Sequence, residues 1–248
     1  MKKLRLLDLF SGIGGFSLGL ERTGGFETVA FCEIEAFPRR VLNKHWPEVP
    51  IYNDIRDLTA ARLGTDGIGV DAICGGFPCT DISSDGQGAG ISGEYSGLWF
   101  EYARLISELR PSVVFVENVA ELLGNGMGDV LGSLASIRYD AEWHSIPASY
   151  VGAPHIRDRV WILAYPENKP RLYQPNGREN SDRLCHNAVA WPPSRWNAPE
   201  DCVCRMEDGI SRRVDCASAL GNAVVPQIPE LLGRAYLESI GWTAEQAA

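Results

Sequence analysis

The chain has 248 residues, an apolar content of 45% and a net charge of −9, so it is long enough to bury a sizeable core. The acidic balance argues against a protein that coats nucleic acid without specificity. No apolar run approaches the roughly 18 residues of a membrane span. Arg5 and Asp8 interrupt the first apolar stretch, so we predict no export signal. The seven cysteines do not suggest a disulfide framework, and we expect a cytoplasmic protein.

Positive charge is concentrated in one part of the chain. Residues 151–213 carry a net charge of +2, against −11 for the remainder, and nine of their ten cationic residues are arginine. Arginine suits the recognition of phosphates and base edges. From charge alone, an ordinary solvated surface is the favoured explanation.

Apolar runs and helical patterns alternate along the first two thirds of the chain. Strands are predicted at 4–10, 27–33, 70–76, 112–118, 141–148 and 159–165. Helices are predicted at 16–23, 34–46, 97–110 and 128–138, the second interrupted by Pro38. This alternation indicates an α/β fold with a mostly parallel sheet and right-handed crossovers.

The segment 166–204 differs, because it is rich in Pro, Asn, Arg and Trp and shows no clear period. It is long for a connection, so we predict a small functional lobe. The chain then returns to an amphipathic helix at 228–240. The predicted organisation is therefore a catalytic and cofactor-binding domain at 1–165, the lobe at 166–204, and a return segment at 205–248 that packs on the first domain.

Acidic or thiol groups follow the predicted strands and one further short apolar stretch: Asp8, Glu33, Asp54, Cys79 and Glu117. Ligands of open α/β sheets bind at the carboxyl ends of the strands. We therefore expect these five groups to converge on one crevice. Each carboxylate has an ordinary alternative, because acids also cap helices and form turns.

The glycine turn SGIGG at 11–15 is an incomplete dinucleotide fingerprint, because Ser17 takes the place of the last glycine. Glu33 follows about 20 residues later, where an acid would bind a ribose diol. Asp54 could accept a hydrogen bond from an adenine amino group. The chain lacks the phosphate-binding lysine of a P-loop. Adenosine without phosphates, as in S-adenosylmethionine, therefore fits better than NAD or ATP.

Five motifs occur together in this chain: DLFSGIGG (8–15), GGFPCTDIS (75–83), ENV (117–119), an arginine pair within HIRDR (155–159) and GNAVVP (221–226). In this order they resemble the C5-cytosine DNA methyltransferases, over most of 4–165 and 205–240. The Pro-Cys and ENV elements are specific in combination. The segment 166–204 corresponds to that family's variable target-recognition region and is short here. His155 departs from the family's usual Gln, and TDIS departs from its Gln-Pro-Phe-Ser-type sequence.

The resemblance implies a Rossmann-like methyltransferase fold and a cytosine that is flipped out of double-stranded DNA. It implies that Cys79 adds to C6 of the base and that Glu117, with a raised pKa, holds its N3 edge. Arg157 and Arg159 lie two apart at a strand start, so we expect them on one face, where they would favour a Cys79 thiolate.

The resemblance also implies S-adenosylmethionine as the cofactor, bound by Phe10, Gly12, Ile13, Gly14, Gly15, Glu33, Ile34, Asp54, Ile55, Pro78, Leu98 and Asn222. Four apolar members of this set would enclose adenine: Phe10, Ile34, Ile55 and Leu98. Without the resemblance, each of the four would be interpreted as a core residue.

Several expectations concern partners. We expect a monomer that binds double-stranded DNA, with a cognate restriction endonuclease as a possible partner and no membrane association. The glycine- and serine-rich loop 80–96 is expected to close over DNA. Four residues of the lobe could bind zinc, but their spacing is not that of a standard finger and we predict no metal site: Cys185, His186, Cys202 and Cys204.

Three other functions remain open from the sequence. A tRNA cytosine-5 methyltransferase would share the same chemistry. A catalytically silent DNA-binding relative would have kept the fold, although the intact Cys79, Glu117, Arg157 and Arg159 argue against it. A nicotinamide oxidoreductase would use the glycine turn for a different cofactor.

Overall fold

A computed structural model describes residues 2–78, 97–167 and 221–242. In these parts of the chain one seven-stranded sheet contains β1 (Leu4–Leu9), β2 (Phe26–Cys32), β3 (Ile51–Tyr52), β4 (Ala72–Gly76), β5 (Val113–Val119), β6 (Tyr139–Ser145) and β7 (Arg159–Pro166). Its order is β3-β2-β1-β4-β5-β7-β6. The first five strands are parallel, whereas β7 runs antiparallel to both neighbours. The prediction of a mostly parallel α/β sheet is confirmed.

The described helices are α1 (Gly15–Glu21), α2 (Ala36–His45), α3 (Ala60–Thr65), α4 (Leu98–Leu109), α5 (Met127–Ser136) and α6 (Gln227–Ser239). Short 3-10 turns occupy Ala120–Leu123 and Ala148–Val151. None of these helices combines the length and apolarity that crossing a bilayer requires.

The prediction that Pro38 interrupts the second helix is wrong. Pro38 is the third residue of α2, which continues to His45. Proline is tolerated there because N–H groups of the first turn have no partner within the helix. The short helix α3 escaped prediction; the Thr59 side chain caps it by accepting a hydrogen bond from the Arg62 N–H at 3.1 Å.

The sheet has an apolar cluster on each face. One contains side chains of α4 and α5, such as Leu105 and Val130, and the other contains side chains of α1 and α6, such as Leu20 and Leu232. In β4, β5 and β7, successive residues enter opposite clusters, as the pleat requires. Leu6 packs on the α1 and α6 side, whereas Leu7 packs on the α4 and α5 side.

Helix α1 accepts the returning chain on two glycines one turn apart. A Cβ atom added at Gly15 would lie 2.4 Å from the Val224 carbonyl oxygen, and one at Gly19 would lie 2.2 Å from the Pro226 carbonyl oxygen. Only glycine permits so close an approach of backbone to helix. The contact brings residues 221–226 beside the glycine turn. The predicted domain boundaries remain predictions, because 168–220 lie outside the described residues.

Candidate active site

The carboxyl ends of the parallel strands β1, β2, β4 and β5 lie at one edge of the sheet. Because β7 is antiparallel to β5, its first residue, Arg159, pairs with Val119 at that same edge. Topology therefore brings the start of β7 to the ends of strands that precede it by 40 residues or more.

Glu117 and Arg159 form an ion pair at this edge. Arg159 Nε lies 3.0 Å from Glu117 Oε1, and the two side chains are 23% and 12% exposed. Burial raises the pKa of Glu117, while the charges of Arg159 and Arg157 and the Arg159 hydrogen bond oppose the rise. The net direction is the raised pKa that the family resemblance implies.

Arg157 reaches the same region by a different route from the predicted one. It precedes β7 and has a φ of +33°, so the alternation of strand side chains does not apply to it. Its Nη1 donates to the Gly221 carbonyl oxygen at 2.5 Å. The expectation that both arginines point from one strand face is therefore wrong, although the charges of both act on Glu117. Arg157 instead connects the HIRDR motif to GNAVVP.

Cys79 lies outside the described residues, but the chain that leads into it is held beside Glu117. Gly76 is opposite Glu117 in the β4–β5 ladder. The buried Asn118 donates from Nδ2 to the Phe77 carbonyl oxygen at 3.0 Å. The sequence patterns predict no role for Asn118. The sequence signal that could have identified Asn118 is its position: an amide side chain immediately after Glu117, at the end of a strand that buries both faces.

Glu33 is fixed next to the glycine turn. Its Oε2 accepts from the Gly12 N–H at 2.7 Å and its Oε1 accepts from the Glu35 N–H at 2.8 Å. Gly12 and Gly14 have φ values of +53° and +86°, which glycine adopts without strain. Burial raises the pKa of Glu33, against the two backbone hydrogen bonds. Each carboxylate oxygen keeps a second lone pair, so the site fits a ribose diol.

The apolar residues predicted to enclose adenine differ in exposure. Ile34 is 59% exposed, and Phe10 and Leu98 are half-buried. Phe10 has a φ of +52°, which is unusual for an aromatic residue and directs the chain into the turn. Ile55 is only 4% exposed and belongs to the α4 and α5 cluster. Three of the four therefore offer surface to a ring, whereas Ile55 is a core residue.

The other predicted cofactor residues lie around the same edge. Ile13 and Pro78 are half-buried, Asn222 is exposed, and Gly15 begins α1. The Asp54 carboxylate pairs with Arg56, whose Nη2 lies 2.5 Å from Oδ2. Hydrogen bonds from Arg56 lower the pKa of Asp54. Because Arg56 is 62% exposed, this ion pair is a weak one that a ligand can replace.

Arg104 ties the Asp54 loop to α4. Arg104 Nη2 donates to the carbonyl oxygens of Ile55 and Leu58 at 3.0 and 2.9 Å. Its other nitrogens pair with Glu101 and Glu108, each at 2.7 Å. Arg104 therefore joins two elements that carry predicted cofactor residues: the loop after β3 and helix α4, which begins at Leu98.

Asp8 does not join the crevice, which corrects the expectation that all five groups converge. It is fully buried on the α1 side of the sheet, where it accepts hydrogen bonds from the Ser17 hydroxyl at 2.7 Å and the Ser17 N–H at 3.3 Å. Burial raises the pKa of Asp8 to about 7, although the Ser17 hydrogen bonds oppose this. Asp8 is an anchor for the first turn of α1.

The pKa of Asp8 predicts a pH-dependent stability. An unfolded Asp loses its proton near pH 3.8, but the folded chain keeps it until about pH 7. The contribution of Asp8 to the free energy of unfolding is thus complete below pH 3.8. It is lost as the pH rises to 7, and the free energy of unfolding then falls by up to about 1.4 kcal/mol per pH unit. Urea unfolding at pH 5 and pH 8 should show a smaller fall in an Asp8→Asn variant than in the native chain. Equal falls would contradict the raised pKa.

Other predicted features fall outside the described residues. These are the loop 80–96, which includes the TDIS departure, and the cysteines and histidine of the lobe at 185, 186, 202 and 204. His155 is described and exposed. Within 2–78, 97–167 and 221–242, no group of three or more His, Cys, Asp or Glu side chains could hold a metal ion.

Comparisons with known proteins give a consistent result. Residues 4–202 match the family model of the C-5 cytosine-specific DNA methylase. The type II methyltransferase M2.BsuMI of Bacillus subtilis is 34% identical over 169 residues, which are 65% of this chain and 42% of that protein. M.CviJI, a type II methyltransferase of Paramecium bursaria Chlorella virus IL3A, is 34% identical over 163 residues, with 64% and 42% covered. The chain therefore spans less than half the length of these two relatives.

Among solved structures, the Entamoeba histolytica methyltransferase EhMeth superimposes with a TM-score of 0.69, covering 97% of this chain and 99% of its own. The sequence identity is 13%, so this likeness concerns the fold alone.

Proposed function

The chain belongs to the C-5 cytosine-specific DNA methylase family, and we propose on that basis that it transfers a methyl group from S-adenosylmethionine to C5 of cytosine in double-stranded DNA. The observation that carries the proposal is the pairing of Gly76 with Glu117, since it sets the chain entering Cys79 beside a buried carboxyl group. Target recognition is assigned to the lobe at 166–204.

The chemistry requires two barriers to be overcome. The base is stacked inside the duplex, so it is flipped into the site. C5 of cytosine is also a poor nucleophile. The Cys79 thiolate therefore forms a bond from sulfur to C6, and the displaced electron pair moves through C5 and C4 onto N3.

Glu117 supplies the proton that N3 takes up during this addition. Burial raises the pKa of Glu117, which favours the protonated carboxyl group that this transfer needs. Arg159 fixes its orientation through the 3.0 Å contact, and the positive charges of Arg157 and Arg159 favour the thiolate form of Cys79. C5 becomes an enamine-like carbon.

S-adenosylmethionine, when bound, supplies the methyl group that C5 accepts. Glu33 would hold the ribose diol of the bound cofactor, and Phe10, Ile34 and Leu98 would contact its adenine. A base then removes the C5 proton, the sulfur–C6 bond breaks so that Cys79 leaves as a thiolate, and N3 returns its proton to Glu117.

The proposal is tested by methyl transfer to duplex DNA and tRNA, side by side. We expect 5-methylcytosine in the duplex only, and bisulfite sequencing of DNA from expressing cells then gives the target. Methylation of tRNA alone would show that the substrate is RNA and not DNA. Tight DNA binding without turnover, and without covalent trapping on 5-fluorocytosine DNA, would indicate a silent relative. Binding of NADH without S-adenosylmethionine binding would indicate an oxidoreductase.

The Arg104 contacts predict a selective effect on the cofactor. An Arg104→Met variant loses the hydrogen bonds to the Ile55 and Leu58 carbonyls, so the Asp54 loop is no longer held on α4. We expect the KM for S-adenosylmethionine to rise by roughly 10-fold, which corresponds to a loss of about 1.4 kcal/mol of binding free energy. The kcat should stay nearly unchanged. Arg62→Met is the matched control, since Arg62 lies on α3, is 62% exposed and pairs with Asp66, the residue that follows this helix. Equal changes in the two variants would contradict the Arg104 role.

A further inference from the structure

We propose that Gly76 is a positioning residue for Glu117, whose carboxyl group occupies the space that a side chain at position 76 would need. The inference rests on the proposed function for its effect on catalysis, but the contact itself can be tested without any reaction.

The backbone does not explain the glycine at position 76. Gly76 is the last residue of β4 and is not among the glycines with positive φ. Any L-residue can adopt extended backbone, and glycine weakens a strand interior. The reason for a glycine must therefore be the space around it.

That space is filled by one residue. A Cβ atom added at Gly76 would lie 2.7 Å from Glu117 Oε2, 3.5 Å from the Glu117 carbonyl oxygen and 3.9 Å from Glu117 Cδ. These are its three nearest atoms, and all belong to Glu117. Because Oε2 is the end of a side chain, it can move aside without displacing backbone. An added methyl group therefore acts as a wedge against the carboxyl group.

The preceding glycine has a different role. A Cβ atom at Gly75 would lie 2.4 Å from the Leu9 carbonyl oxygen, in the neighbouring strand β1. A side chain there would separate two strands of the sheet. Gly75 is thus required for the fold, whereas Gly76 is required for the place of one carboxyl group.

The displaced carboxyl group would lose its geometry with Arg159. In the native chain Glu117 Oε1 is 3.0 Å from Arg159 Nε, and Oε2 is the atom that faces Gly76. A methyl group at position 76 pushes Oε2 away, so the carboxyl group rotates and both oxygens move. Misplacement of a catalytic group by about 1 Å costs on the order of 100-fold in rate.

The test combines kinetics with a mutant cycle on stability. We expect Gly76→Ala to lower kcat by on the order of 100-fold while duplex binding stays native-like. Its urea midpoint should fall in the native background and recover in a Glu117→Ala background, because the nearest remaining Glu117 atom, the carbonyl oxygen, is at an ordinary contact distance of 3.5 Å. Gly132→Ala is the control, since a Cβ atom in that position of α5 has no atom within 4 Å and should leave kcat unchanged.

Infrared spectroscopy of the carboxyl group gives a readout without activity. Arg157 and Arg159 both lower the pKa of Glu117, so a carboxyl group moved away from them should titrate at higher pH in Gly76→Ala. The difference between the spectra of the native chain and a Glu117→Gln variant identifies the infrared band of the Glu117 carboxyl group.

Two results separate the inference from the proposed function. An unchanged Glu117 titration, together with the same stability loss in the native and Glu117→Ala backgrounds, would overturn the role of Gly76. A shifted titration with native kcat would support the contact and overturn the catalytic role of Glu117.

Discussion

A Cys79→Ala variant is expected to make no 5-methylcytosine, because the sulfur is the group that activates the pyrimidine ring. Without a bond to C6, the electron pair that C5 needs stays in the aromatic ring. The measurement is methyl transfer to duplex DNA, followed by bisulfite sequencing. Binding of duplex DNA should persist, since the change removes one sulfur atom.

Cys74→Ala is the matched control for this experiment. Cys74 lies five residues earlier on β4, is fully buried, and has a pKa raised well above its usual value by burial. A thiol of this kind is chemically inert, so its loss should cost some stability but leave kcat near the native value. Detectable 5-methylcytosine from Cys79→Ala would exclude the covalent mechanism.

A Glu117→Gln variant is expected to lose about 10²- to 10⁴-fold in kcat, the usual contribution of a positioned general acid. The amide has the same shape and can still bind the base edge, but it cannot deliver a proton to N3. The affinity for duplex DNA should therefore change little. Exchange of tritium from C5 of cytosine into water, which reports the addition step by itself, should slow by the same factor.

Glu121→Gln tests whether loss of a nearby charge explains the effect. Glu121 lies in the 3-10 turn after β5 and is exposed. Its substitution removes one negative charge four residues from Glu117 and should leave both rates unchanged. A native rate of tritium exchange in Glu117→Gln would show that N3 is protonated by another group.

Most strands and helices could be predicted because their signals are local. The runs at 4–10 and 112–118 have five and four apolar residues out of seven, and β1 and β5 occupy nearly the same positions. The helix at 97–110 presents apolar residues at helical spacing and is observed as Leu98–Leu109. Such periods depend on neighbours within a few residues. Pro38 failed as a signal because its effect depends on the exact turn it occupies, and boundaries are the least certain part of a pattern.

The depth of a side chain within the sheet was harder to predict. Asp8 and Glu117 both follow apolar runs, yet only Glu117 reaches the crevice. The strand register places Asp8 level with Cys74 and Phe115, so Asp8 lies on the same face as Glu117 but two residues further from the carboxyl ends of the strands, where Ser17 binds it. The sequence does not state how far neighbouring strands are shifted against each other, so it does not say which acid is at the edge.

The amino-acid pattern was enough to predict the class of fold, most of its strands and helices, and the motifs that mark Cys79, Glu33 and Glu117 as candidate site residues. The folded chain was needed to see how Arg159 contacts Glu117, how Arg104 holds the Asp54 loop, and why position 76 has no side chain. These contacts join residues about 40 or more positions apart. They depend on strand order and register, which result from many weak long-range contacts acting together, whereas local periodicity is written in adjacent residues.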